Sequence, residues 1–313
     1  MNILAIESSC DEFSVAILKN EKIVANIISS QIKDHKKFGG VVPELASRLH
    51  VENFYWVLET ALLESKTKIE ELDCIAYTAK PGLIGSLIVG KIVAETLANY
   101  LNIKLYPLDH LEGHIYSSLI ETKVQFPALA LITSGGHTEL YLMKKDLDFC
   151  LLGSTQDDAV GECYDKVARK LNLEYPGGPK IDMLSKQSKE EKYMLPTPKD
   201  KEKYDFSFSG IKTASINLIN KLGAEIDTKS FALTFQKTCI NYILNKVKLA
   251  IKEYPEIKSL LLGGGTSANS LLREEIKKLE NKNLKVYVPK MEYCTDNAAM
   301  IARLCLSYLK EGN

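Results

Sequence analysis

The chain has no uninterrupted apolar run of about 18 residues, roughly the minimum for a membrane-crossing helix. Its opening, Met1 to Glu7, lacks a basic segment and meets an acid within one strand's length, so no secretion signal is read there. Cys-x-x-Cys pairs are missing too. The seven cysteines, at 10, 74, 150, 163, 239, 294 and 305, are odd in number and scattered, which argues against both a zinc ribbon and a disulfide framework. Nor does either charge predominate: 40 basic residues meet 40 acidic ones, so no global positive field announces a nucleic-acid partner. These absences predict a soluble, unexported protein of the reducing cytoplasm with no membrane association. Local lysine clusters do occur, at Lys33, Lys36 and Lys37 and across 186–203, and read either as phosphate-binding patches or as solvated faces.

With 313 residues and 45% hydrophobic composition, the chain exceeds the usual size of a single core, which favours two lobes. Asn2–Glu7 reads as a strand, residues 8–12 as a tight turn, and 14–18 and 23–29 as two further strands. Pro43, well suited to a first helical position, opens a long helix to about Glu64. Strand and helix then alternate over 74–78, 86–100, 104–107 and 111–121. From Ile132 to Leu142, strand, small polar turn and strand recur at the spacing of Ile6 to Ala16, which signals an internal repeat. Helices over 160–171, 210–221 and 230–252, a strand at 259–262, a helix from Ser267, a strand at 285–288 and a helix over 295–309 complete the count. This plan predicts a duplicated, actin-like α/β fold of two lobes with ribonuclease-H-like mixed sheets. Residues 1–125 plus 292–313 form one lobe and 126–291 the other, with the two meander turns expected to face one cleft. The charged stretch 187–203, with Pro196 and Pro198, is expected to be an exposed, mobile connection.

Seven short patterns can carry chemistry. His110 and His114 stand four residues apart, so on a helix they share a face, either as a metal-binding pair or as two surface histidines. Leu111 occupies the place where a zincin peptidase needs its glutamate. Gly263-Gly264-Gly265 follows an apolar strand and leads through Asn269 into a helix, which suits an anion held by backbone amides or a tight strand-to-helix turn. Gly135-Gly136 and the turn 8–12 are two further anion-sized loops, and three such loops in a duplicated fold predict a nucleotide cleft. Pro176-Gly177-Gly178-Pro179 reads as a rigid turn after a helix. Nearby Asp157, Asp158 and Asp165 suit ribose hydroxyls or helix capping. Asp296 opens the last helix, either offsetting its dipole or completing a two-histidine, one-carboxylate site.

The ensemble resembles one family. Ile6 to Glu12, His35 to Gly40, Val41 to Arg48, Pro81-Gly82-Leu83, His110 to His114, Ser134 to Thr138, Tyr175 to Pro179, Phe206 to Thr213, Gly263 to Asn269 and Cys294 to Asn297 are similar, in order and over nearly the whole chain, to the motifs of the tRNA N6-adenosine threonylcarbamoyltransferases. Members of that family were formerly labelled O-sialoglycoprotein endopeptidases. The resemblance implies an acyltransferase that takes threonylcarbamoyl-AMP and modifies the adenosine just 3′ of the anticodon (position 37) in tRNAs reading codons that begin with A. By position, it implies that His110, His114 and Asp296 hold one divalent metal ion, with Fe(2+) favoured and Zn(2+) or Mg(2+) as alternatives. It implies that Ile132, Thr133, Ser134, Gly135, Gly136, Asp165, Gly178, Asp182 and Asn269 bind the adenylate, and that Glu12 and His137 act in catalysis. Lys80 stands where the family commonly has glycine, and Phe13 where it commonly has threonine. The bacterial form of the motifs implies a TsaB-like paralogue and a TsaE-like ATPase as partners. A metallopeptidase, a catalytically silent scaffold paralogue, and a sugar or acetate kinase are the competing readings.

Overall fold

The structure, a computed structural model, describes residues 1–198 and 202–312. Contacts divide the chain into two compact units, Met1–Lys123 with Pro289–Asn313, and Val124–Val288. The first unit holds β1 (Asn2–Glu7), β2 (Glu12–Lys19), β3 (Lys22–Ser30), the short α1 (Ile32–His35), α2 (Pro43–Ser65), β4 (Cys74–Lys80), α3 (Ile84–Leu101), β5 (Lys104–Asp109) and α4 (His110–Ser117). The second holds β6 (Ala128–Thr133), β7 (Thr138–Met143), β8 (Phe149–Ser154), α5 (Val160–Lys170), α6 (Gly177–Ser185), α7 (Ser209–Leu222), α8 (Thr228–Glu253), β9 (Ser259–Gly263), α9 (Ser270–Lys277) and β10 (Lys285–Tyr287). The last helix, α10 (Ala298–Glu311), returns to the first unit.

Each unit is built on a five-stranded sheet of the same order, β3-β2-β1-β4-β5 and β8-β7-β6-β9-β10. In both, the first three strands form an antiparallel meander and the other two add in parallel. β1 and β6 therefore occupy equivalent places, and their unbroken apolar runs suit strands covered on both faces. Leu4, Ile6, Val15 and Ile17 pack with Val57 of α2 and Ala94 of α3 in one core. Leu129, Leu131, Leu260 and Leu262 pack with Phe235 of α8 and Val167 of α5 in the other. α3 is long and apolar enough to cross a membrane by length and composition, with a mean hydropathy of 1.2, yet it lies mostly exposed and carries the Lys91–Glu95 ion pair at 3.7 Å.

Four details differ from the sequence expectations. The two meander turns are unequal: Glu7 pairs with Ser14, whereas Thr133 pairs with Thr138, so the first turn is two residues longer. Glu12 belongs to β2 and pairs with Ser30 of β3 rather than closing the turn. Pro176 to Pro179 is not a free-standing turn. Pro176 precedes α6, whose first residues are the two glycines. Finally, the stretch 187–198 is mostly exposed but tethered. The Ser230 hydroxyl donates to Glu190 O at 2.7 Å and accepts from Lys192 N at 2.9 Å, and the Tyr193 hydroxyl accepts from Asp227 N at 2.8 Å. Residues 199–201 of the predicted connection, and of the lysine cluster within it, lie outside the described residues.

Candidate functional site

α4 begins immediately at the end of β5, capped by the Asp109 carboxylate, which accepts from Leu111 N at 2.8 Å and Glu112 N at 3.3 Å. That cap fixes the first turn of the helix and sets His110 and His114 on one face, with ring centroids 4.5 Å apart. Asp296 comes from the other end of the unit. It lies two residues before α10 rather than in its first turn, so it is not the helix-dipole acid. Asn297 caps α10 through Met300 N, while Ser14 Oγ and Asn26 Oδ1 accept from Ala298 N at 2.9 Å and Ala299 N at 3.2 Å. These bonds anchor the helix start on β2 and β3 and so fix the approach of Asp296.

One oxygen of Asp296 lies 3.2 Å from His114 Nε2 and 3.6 Å from His110 Nε2, and the three donors lie within 4.8 Å of one another. Donors about 2.1 Å from a shared ion stand roughly 3.0–3.4 Å apart, so the spacing fits a metal. Both ring nitrogens of His114 are buried and make no hydrogen bond among the described residues. Only the Asp296 carboxylate faces Nε2, and burying that nitrogen without a full hydrogen bond is costly; coordination at Nε2 would offset that cost. Two imidazoles and one carboxylate form a donor set suited to iron or zinc.

The ring of His110 is oriented from behind. Its Nδ1 lies 3.1 Å from Glu7 Oε2 and 3.2 Å from Ser9 Oγ. Glu7 is itself held, accepting from Ser9 N at 2.7 Å and from the Thr78 hydroxyl. Such a carboxylate–histidine pair places the proton on Nδ1 and turns the Nε2 lone pair outward. Burial opposes a charge on His110, but Glu7 and Asp296 outweigh it and hold its pKa up at about 9. Burial together with the nearby His110 pulls His114 down. Burial, with Asp296 and Asp11 crowding the same region, pushes Glu12 well above the carboxylate range. Burial likewise raises the Cys10 thiol, which leaves it a poor nucleophile.

In the second unit, Ile132 and Thr133 end β6 as buried residues, and the turn 134–137 closes on itself through Ser134 N to His137 O at 2.8 Å and His137 N to Ser134 Oγ at 3.0 Å. Gly135 and Gly136 are exposed, with open space where a Cβ would stand. Two other glycines press against this turn. A Cβ on Gly264, which has φ of +85°, would come 2.4 Å from Thr133 O, and one on Gly161 would come 2.6 Å from Ser134 O. Gly264 is thus required by packing on β6, while Gly265 faces open space. The Gly265–Ala268 turn lies against β6 and α5.

Asp165 on α5 accepts from Gly177 N at 2.7 Å, which seats the start of α6 and places Gly178 beside it. Asp182 on α6 accepts from Ser270 Oγ at 2.7 Å and from Gln236 Nε2 at 3.3 Å. The oxygen of Gln236 in turn takes a bond from Asn269 Nδ2 at 2.8 Å. Asp182 and Asn269 are therefore joined through a buried Gln236, a residue that sequence reasoning missed. Nothing around it in the chain signalled a role, because it lies amid the apolar pattern of α8. The predicted residues thus form two groups, His110, His114, Asp296 and Glu12 in the first unit and 132–137, Asp165, Gly178, Asp182 and Asn269 in the second.

Residues 22–303 match the sequence profile of the family described as TsaD, tRNA N6-adenosine threonylcarbamoyltransferase. A protein of that name from Mycoplasma capricolum subsp. capricolum is 57% identical over 309 residues, 97% of each chain. Another from Mesoplasma florum is 54% identical over 318 residues and the whole of both chains. Among solved structures, HypF of T. kodakarensis superposes with a TM-score of 0.66 at 14% identity, covering 99% of this chain and 48% of that one. An activator of the 2-hydroxyisocaproyl-CoA dehydratase from Clostridium difficile gives 0.56 at 13% identity, covering 100% and 97%. At those identities the two structures speak to fold alone, and both share the actin-like architecture.

Proposed function

The chain belongs to the tRNA N6-adenosine threonylcarbamoyltransferase family, and on that premise we propose that it transfers a threonylcarbamoyl group from threonylcarbamoyl-AMP to N6 of tRNA adenosine 37, in tRNAs reading codons that begin with A. In the reaction the bond from the carbamoyl carbon to the adenylate phosphate oxygen breaks, a bond to N6 forms, and AMP and one N6 proton leave. The observation that carries the reading is the convergence of the buried His110 and His114 with Asp296, whose donor atoms lie within 4.8 Å of one another. A divalent cation held by those three side chains, iron favoured over zinc or magnesium, would supply positive charge for the developing oxyanion and the leaving phosphate.

The chain's own residues account for the rest. The backbone of Gly135, Gly136 and Gly265, each with open space where a Cβ would stand, suits the adenylate phosphate, because no side chain bars its approach. Asp165 and Asp182 suit ribose hydroxyls, and Asn269, oriented by Gln236, suits the base. The exocyclic amine is a weak nucleophile, so orientation does most of the work. Glu12, near enough to Asp296 to feel its charge, suits acceptance of the departing proton. His137, closing the glycine turn, orients the leaving phosphate. A peptidase reading has no support in the geometry: Leu111 stands in the base position, and the next acid, Glu112, is bonded to the Tyr308 hydroxyl at 3.1 Å.

The test is nucleoside analysis of tRNA incubated with the purified protein, threonylcarbamoyl-AMP, a TsaB-like paralogue and a TsaE-like ATPase. Threonylcarbamoyladenosine and AMP in equal amounts are expected. Neither product, or chelator-sensitive cleavage of a glycoprotein, would overturn the reading. The cytoplasm, where tRNA and reduced thiols coexist, is the proposed place of action, in keeping with seven free cysteines.

A further inference from the structure

We propose that the groove between α5 and α7 is a docking site for backbone phosphates of the tRNA. It is a cavity of about 370 Å³ lined by Lys166, Arg169, Lys170, Lys212 and Ile216, so four of its five lining side chains are cationic. In a chain whose charges cancel overall, that concentration is local. Lys166, Arg169 and Lys170 share one face of α5 by their three- and four-residue spacing, and Lys212 and Ile216 share the facing side of α7.

Two ordinary explanations of surface cations do not cover this group. Basic residues in a last helical turn offset the helix dipole, which accounts for Arg169 and Lys170 alone. Lys212 lies in the first turn of α7, where the dipole disfavours a cation. Ion pairing is the other explanation. Asp158 binds both Lys166, at 2.7 Å, and Lys212, and Glu162 binds Lys166 at 2.8 Å. Two carboxylates thus face four cations, and no described ion pair or hydrogen bond involves the side chains of Arg169 and Lys170, which are exposed. Asp158 fixes the two lysines as a preformed floor, while the free arginine fork and the Lys170 ammonium remain available to an anion.

The position favours a nucleic-acid backbone over an acidic protein. α5 starts against the glycine turn of the candidate adenylate site, where Gly161 approaches Ser134 O. From Gly161 to Arg169 is eight residues, or about 12 Å along the helix. An adenosine presented at the glycine turn would therefore bring its neighbouring phosphates to the groove. This inference rests on the tRNA substrate proposed above.

The experiment measures tRNA binding by the full chain across a salt series, for the wild type, for Arg169→Ala/Lys170→Ala, and for Lys277→Ala/Lys282→Ala, which removes equal charge from exposed positions elsewhere in the same unit. The groove variant is expected to bind tRNA about tenfold or more weakly, with the slope of log affinity against log salt reduced by about 1.4 to 1.8 for two lost phosphate contacts. The control variant should keep the wild-type slope, and transfer at saturating tRNA should persist in both. Equal slopes in the two variants would overturn the groove while leaving the transferase reading intact. So would titration showing that inorganic phosphate binds the wild type and not the groove variant while tRNA affinity is unchanged, since the groove would then be a small-anion site. Failure of the wild type to modify tRNA would instead sink the functional reading, through the product and not the binding curve.

Discussion

Glu7 shows how much of this site depends on a residue that touches no substrate. It is fully buried and ionised, and each oxygen is engaged by named donors, among them His110 Nδ1. Burial alone would raise its pKa, but His110 outweighs that and lowers it. Replacing it by glutamine keeps the shape and removes the charge that holds His110 in its tautomer. Glu7→Gln is therefore expected to weaken metal binding by about 10- to 100-fold, the usual cost of losing a partner behind a metal-bound histidine. Competition against a chromogenic chelator measures this, and unchanged affinity would refute the role. A pH dependence follows from the same pair. Below about 9 the metal-free protein carries a proton on His110 that coordination must displace, so affinity should climb with pH and flatten near that value. With Glu7→Gln the plateau should move to lower pH, because the largest influence raising His110 is gone. A plateau at the same pH in both proteins would show that Glu7 does not set it.

At the scale of elements, the sequence was most legible where the pattern was longest. The periodic run from Pro43 and the apolar strand at 2–7 came out as read, and the strand read at 259–262 extends one residue further, to Gly263, since burial on one or both faces enforces those patterns. The start of α6 was not legible. Two glycines and two prolines read as a turn, yet Pro176 is extended ahead of a helix and Gly177 serves packing rather than flexibility. A Cβ on Gly177 would stand 2.3 Å from Ala168 Cβ of α5, while one on Gly178 meets nothing within 4 Å. Gly177→Ala should consequently destabilise the protein by about 1–3 kcal/mol through overpacking. Gly178→Ala should leave unfolding nearly unchanged and weaken adenylate binding if that face receives the ligand. Denaturant midpoints of the two variants, read beside AMP affinity, separate these outcomes. Equal midpoints would mean that α5 and α6 yield more easily than their spacing suggests. The offset of Asp296 from α10 has a similar origin: in Thr295-Asp296-Asn297 any of the three can cap a helix, and only the bonds to Ser14 and Asn26, distant in sequence, select Asn297.

Across the whole molecule, duplication was readable because β1 and β6 each repeat the same strand-turn-strand rhythm, but the unequal turns were not, since pairing register depends on the partner strand. The first, longer turn leads into Glu12 and the metal-type cluster, whereas the shorter carries the bare glycines. The candidate metal donors thus all lie in one unit and the adenylate candidates in the other, which predicts different chemistry for two copies of one sheet. Ligands that bind only the folded state stabilise the segments they hold, and amide exchange resolves that by region. Removing metal with a chelator is expected to speed exchange in α4, in residues 291–300 and in the turn 8–11, with little change across β6, β9 and α8. Adding AMP to the metal-free protein should slow exchange at 134–137, 264–269 and the start of α6, with little change in α4. Exchange mass spectrometry of the intact chain followed by proteolysis reads both experiments at once. If chelation loosened the second unit's sheet as much as α4, the metal would be stabilising the molecule as one body, and the assignment of separate chemistry to each sheet would fail.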